Sequence, residues 1–112
     1  MPEFVRACRI DDVEDGGALR VMIGTTPIAV VRSAGEVYAI HDVCSHANVA
    51  LSEGEIEDQT IECWLHGSRF DLRTGKPTGL PATEPVATFP VDVRDGDVYV
   101  DVEQFLNGVT PR

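Results

Sequence analysis

The sequence predicts an all-β protein of one domain, and three observations carry that reading. Glycine and proline recur at short intervals, 10 and 7 in 112 residues, and keep breaking the chain before a long helix can form. No stretch sustains the three-to-four-residue apolar period of an amphipathic helix, whereas several alternate apolar and polar residues with the period of two that a strand requires. The length suits one hydrophobic core, and no internal repeat, low-complexity tract or Gly/Ser linker divides it.

The strands follow in order. Residues 4–8 and 18–23 read as the first two. Residues 27–40 form a hairpin through the three-residue loop Ser33-Ala34-Gly35, with Gly35 in the left-handed position, Arg32 facing Glu36 and Val31 facing Val37. Residues 55–57 and 60–62 pair around Asp58-Gln59. From Gly67 to Pro90 the many Gly and Pro residues predict irregular chain, with turns at residues 74–77 and 79–82.

Residues 89–102 give the clearest hairpin, because Asp95-Gly96 favours a two-residue primed turn. Pairing Arg94 with Asp97 sets Val93 opposite Val98, Val91 opposite Val100 and Phe89 opposite Val102, all on one face. Asp92, Tyr99 and Asp101 take the other face, and Arg94 and Asp97 form a cross-strand charge pair. In the tail, Phe105-Leu106 is the one apolar pair available to dock on the sheet.

Composition excludes several classes of function. The longest unbroken aliphatic run, Ile28 to Val31, is far too short to cross a bilayer, and no basic start followed by an apolar segment marks an export signal. A cytoplasmic protein is expected. A formal net charge of −10 disfavours nucleic acid and anionic membrane as partners. Between Arg32 and Arg69 there is no Lys or Arg but there are seven acidic residues, which make either a docking face for a basic partner or a solvated surface. Three cysteines without an export signal suit free thiols or metal ligands better than disulfides.

Two short stretches carry the chemistry. Cys44-Ser45-His46 and Cys63-Trp64-Leu65-His66 each put one thiolate donor and one imidazole donor on a loop, 16 residues apart, in the pattern C-x-H, x16, C-x-x-H. The C-x-H donors stand about 6 to 7 Å apart on extended backbone, an awkward span for one ion. A two-iron, two-sulfide cluster fits, with Cys44 and Cys63 on one iron and His46 and His66 on the other. Zinc is the chemical alternative, although structural zinc sites favour C-x2-4-C and H-x3-5-H pairs. Trp64 and Leu65, between two donors, either shield the site or form a docking patch. Cys8 reads as a small buried residue, and His41 as a packed or solvent-facing one.

These motifs resemble those of Rieske-type proteins, whose C-x-H and C-x-x-H loops bind a [2Fe-2S] centre through two cysteines and two histidines. The resemblance continues through Gly67-Ser68-Arg69-Phe70-Asp71 and through Gly79-Leu80-Pro81-Ala82, where the family has a proline loop over the cluster. It implies three antiparallel sheets, with a cluster-binding subdomain of about residues 42–82 inserted in a β base domain of residues 1–41 and 83–112. It also implies one cluster per chain on Cys44, His46, Cys63 and His66, with Ser68, Phe70 and Pro81 around it. Membrane-bound respiratory members carry a further cysteine in each loop, where this chain has Val49 and Leu65.

The branch it resembles is therefore the soluble ferredoxin component of multicomponent non-haem iron, ring-hydroxylating oxygenases. By that resemblance the chain is an electron carrier and not an enzyme. Its partners are a ferredoxin reductase and an oxygenase component, and it is a monomer. The residue count agrees: after His46 and His66 only His41 remains for a second iron site. An accessory subunit like the small subunits of nitrite reductases is the alternative, but those characteristically lack the cluster ligands present here. Two histidines in place of two thiolates leave the oxidised cluster neutral, which places the family's potentials at about −150 to +300 mV. Phe70, without a hydroxyl, and the missing disulfide point to the low half; the Ser68 hydroxyl points upward.

Overall fold

A computed structural model describes residues 4–45, 49–65, 67–80 and 82–109. Among the described residues ten strands run in chain order: β1 Val5–Arg9, β2 Gly17–Ile23, β3 Thr26–Ser33, β4 Glu36–His41, β5 Ile56–Glu57, β6 Thr60–Glu62, β7 Arg69–Asp71, β8 Thr88–Phe89, β9 Val91–Arg94 and β10 Asp97–Val100. They form three antiparallel sheets in the orders β1-β10-β9, β2-β3-β4-β8 and β5-β6-β7, with short 3-10 turns at Ile10–Asp12 and Leu51–Glu53. Among the described residues no helix is long and apolar enough to cross a membrane.

The four-stranded sheet is the wall between two cores, and this explains the run from Ile28 to Val31. Side chains alternate across a strand, so Ile28 and Val30 enter one core while Ala29 and Val31 enter the other. All four are fully buried. Ala39 and Ile40 on β4 divide in the same way. A strand covered on both faces needs no polar alternation, so it reads as unbroken apolar sequence. One core, with Val98, Val100 and Phe89, lies under the β1-β10-β9 sheet; the other contains Cys44, Cys63, Leu51, Ile61, Phe70 and Leu72. Each large apolar side chain so buried contributes roughly 1.5 to 3 kcal/mol.

The hairpin registers hold in part. At Asp95-Gly96 both residues have positive φ, and Arg94 pairs with Asp97, Val93 with Val98 and Val91 with Val100 as expected. The ladder stops there. Phe89 belongs to β8 and pairs with Ala39, so it does not face Val102. Pro90 lies between β8 and β9, and its carbonyl accepts the Asp101 N–H at 3.2 Å. Asp101 is buried, not solvent-facing, because beyond β10 its carboxylate accepts the Glu103 N–H and the Gln104 side-chain amide. Arg94 pairs with Asp92 at 2.8 Å and lies over the Tyr99 ring, while Asp97 pairs with Arg6 at 3.2 Å. The expected Arg94–Asp97 charge pair is thus replaced by two others.

The β3–β4 hairpin differs by one residue. Ser33 pairs with Glu36, Arg32 with Val37 and Val31 with Tyr38. Ala34 and Gly35 form a two-residue turn with φ of 53° and 80°. A primed turn matches the twist of the flanking strands, and Ala34 accepts the left-handed conformation to make it. The stretch expected to be irregular also contains β7, which pairs with β6 just before it, and β8, which pairs with β4 far away in sequence. Two and three residues long, they leave no readable alternation. The tail docks through one member of the expected pair: the Phe105 ring lies 5.8 Å from that of Phe89, whereas Leu106 is held by its N–H on the Thr88 carbonyl and its side chain is exposed.

Candidate metal centre

Two loops of like construction leave the ends of β4 and β6. In the first, the Cys44 N–H donates to the carbonyl of Val49 at 3.0 Å; in the second, the Cys63 N–H donates to that of Ser68 at 2.6 Å. Each cysteine therefore opens a loop that closes on the residue five positions later, and each loop contains one of the histidines picked out above. The second is tightened by the Gly67 N–H, which donates to the Cys63 carbonyl at 2.8 Å. No disulfide joins any of the three cysteines.

The loop bases are locked together. Gly54, just after the Leu51–Glu53 turn, packs so closely on β6 that a Cβ there would overlap the Glu62 carbonyl oxygen. The Glu62 N–H donates to the Glu55 carbonyl at 2.8 Å. Leu51 and Ile61 fill the space between, both fully buried. Cys44 and Cys63 come into one apolar cluster, 4% and 0% exposed, with Phe70 beside them.

A third loop ties the other two together. The Ala82 N–H donates to the buried Ser68 hydroxyl at 3.0 Å, and the Ser45 hydroxyl donates to the Glu84 carbonyl at 2.6 Å. The contact with Ala82 uses a lone pair of Ser68 and not its proton, so the hydroxyl keeps its capacity to donate. Phe70 is fully buried. His46, His66 and Pro81 lie outside the described residues. Trp64 and Leu65 are each about half exposed, so neither is packed inward as a cover, and Leu80 is more exposed still.

Two further buried residues flank the first loop. His41 closes β4, its N–H on the Ala87 carbonyl at 2.9 Å; burial pushes its imidazole below the usual histidine range, against an opposing pull from Asp42 and with help from Arg20. Asp42 is fully buried. Sequence reasoning took His41 for packed or solvent-facing, and the structure makes it packed. It counted Asp42 among the seven acidic residues of a docking or solvated surface, which its burial overturns, and passed over Ser45, Ser52 and Glu84, because nothing in a local pattern distinguishes a buried polar group from an exposed one. Cys8 is buried as expected, its thiol pushed up by burial and by the nearby Asp12.

The donor set suits a centre that binds thiolates: two buried cysteines approach through one apolar cluster, on loops whose backbone is already hydrogen-bonded. Comparison with known proteins agrees. The Rieske [2Fe-2S] domain family matches residues 3–90. The 3-phenylpropionate/cinnamic acid dioxygenase ferredoxin subunit of Escherichia coli (strain K12) is 49% identical over 102 residues, covering 89% of this chain and 94% of that protein. The ferredoxin of Sphingomonas yanoikuyae B1 superposes with a TM-score of 0.84 at 34% identity, over 88% of this chain and 98% of that one. A chain from the complex of reduced oxygenase and oxidized ferredoxin in carbazole 1,9a-dioxygenase gives 0.82 at 38% identity, over 88% and 92%.

The chain belongs to the Rieske [2Fe-2S] domain family and carries one [2Fe-2S] cluster. Within that family it is a ferredoxin, an electron-transfer component and not a catalytic one.

Proposed function

We propose that this ferredoxin takes one electron from a ferredoxin reductase and delivers it to a terminal non-haem iron dioxygenase, through a cluster ligated by Cys44, His46, Cys63 and His66. The paired loop closures carry this reading: Cys44 and Cys63 occupy equivalent places in two loops that converge on one buried cluster of side chains. The bound cluster supplies reversible one-electron chemistry. Around it the chain provides a rigid frame. The Ser45 and Ser68 contacts hold the third loop against the other two, and Phe70, Leu51 and Ile61 keep water from the thiolate side.

The likeness to ferredoxin subunits of 3-phenylpropionate/cinnamic acid dioxygenase supports an oxygenase partner that acts on an aromatic acid of that class. Residues 42–82 act as the cluster-binding subdomain on a base of residues 1–41 and 83–112. The protein works as a cytoplasmic monomer, and its net charge of −10 favours basic docking faces on both partners.

Anaerobic purification followed by iron and sulfide counting tests the ligand set. Two irons and two sulfides per chain are expected. His46→Ala and His66→Ala each lose the native visible and electron paramagnetic resonance spectra, and with them coupled turnover of the oxygenase. Retention of the native spectra in either variant refutes the assignment.

A further inference from the structure

Asp42 stands two residues before Cys44, and its carboxylate is entirely buried. One oxygen accepts the Ser52 N–H at 2.6 Å; the other accepts the Ser52 hydroxyl at 2.6 Å and the Arg20 guanidinium at 3.3 Å. Its own N–H donates to the Pro27 carbonyl at 2.9 Å. Ser52 lies beyond the first ligand loop, in the Leu51–Glu53 turn, so the carboxylate closes the base of the stretch that carries Cys44. Every side-chain contact it makes is to a donor, the arrangement an ionised carboxylate takes.

Closing the loop does not require a charge: with an amide at this position its oxygen would accept the Ser52 N–H and its NH2 would donate to the Ser52 hydroxyl, which can accept as well as donate. The charge has a separate consequence. Asp42 is fully buried while the Arg20 side chain is 45% exposed, so water screens the cation more than the anion. The pair therefore presents a net negative field to the backbone leading into Cys44. An electron arriving at a centre held by Cys44 meets that field and is bound less tightly.

We propose that Asp42 is a positioning residue for Cys44 whose charge, offset in part by Arg20, holds the reduction potential of the cluster down. This rests on Cys44 being a cluster ligand. The two residues act in opposite directions: Asp42 lowers the potential, and Arg20 raises it.

The test is a spectroelectrochemical titration of the reconstituted protein with D42N, R20Q and the double variant, each checked for its electron paramagnetic resonance signal. D42N is expected to make reduction more favourable by about tenfold, an upward shift of about 59 mV for one electron. R20Q shifts the potential down by a smaller factor, and the double variant falls between D42N and the wild type. General loosening of the loop would move both single variants the same way, and that result overturns the proposal. So does an unchanged potential in D42N. If D42N fails to hold a cluster, R20Q decides alone: a fall supports the proposal, and no change or a rise overturns it. Failure of the ligand assignment has its own mark, a wild-type protein without two irons and two sulfides, and it overturns both readings.

Discussion

The buried hydroxyl of Ser68 accepts the backbone N–H of Ala82 at 3.0 Å, joining the second ligand loop to the loop that follows it in the sequence by 14 residues. Ser68→Ala leaves that N–H without its acceptor. A buried donor stranded in this way costs about 1 to 3 kcal/mol. Denaturant unfolding of the loaded protein should show a loss of that size. The midpoint potential should also fall, because the hydroxyl proton, not used by Ala82, is lost as a donor to the cluster. A potential equal to that of the wild type would remove Ser68 from the redox site and leave it a structural role only.

Gly54 has an ordinary extended backbone, with φ of −89° and ψ of 175°, so it is there for space and not for conformational freedom. Gly54→Ala drives a methyl group into the Glu62 carbonyl, which is backbone and cannot swing aside. Overpacking of this kind costs typically about 1 to 3 kcal/mol. The expected outcome is a lower melting temperature together with faster bleaching of the cluster on warming, since Gly54 and Glu62 lie at the bases of both ligand loops. Unchanged bleaching alongside a lower melting temperature would show that the two bases are not coupled.

His41 gives a pH dependence with a definite sign. Its folded pKa lies below the ordinary 6.5, chiefly because burial disfavours the imidazolium. The unfolded chain therefore binds the proton first. The stability associated with the neutral imidazole is fully present above about pH 6.5 and is lost as the pH falls through the depressed folded value. Urea midpoints measured from pH 8 downward, at values where the wild type keeps its cluster, should decline below about 6.5. In His41→Gln that decline should be shallower. Parallel profiles for the two proteins would assign the acid sensitivity to other groups.

Much of this was legible in the sequence because the signals are local. A two-residue turn at Asp95-Gly96 sets a register by itself, and the register from Arg94–Asp97 to Val91–Val100 holds. The Cys and His spacing needs no tertiary structure to be recognised either. The failures have the opposite character. The 33–35 loop misled by one residue because Ala34 adopts a positive φ that its side chain does not announce. Strand β8 went unseen because its partner β4 is distant in sequence, and β7, paired with the preceding β6, because three residues carry no period of their own.

The sequence alone determined the β class, the family and the cysteine and histidine residues proposed to hold the cluster, since each rests on residue type and short spacing. Tertiary structure decided which polar groups are buried around those ligands. Asp42 and Glu53 read alike as acidic loop residues, yet only Asp42 is enclosed, with Ser52 and Arg20 as its donors. Burial is a property of everything that packs around a residue, here three segments separated by up to 32 positions from Arg20 to Ser52. Only the folded chain brings those segments together and sets the strength of each charge near Cys44.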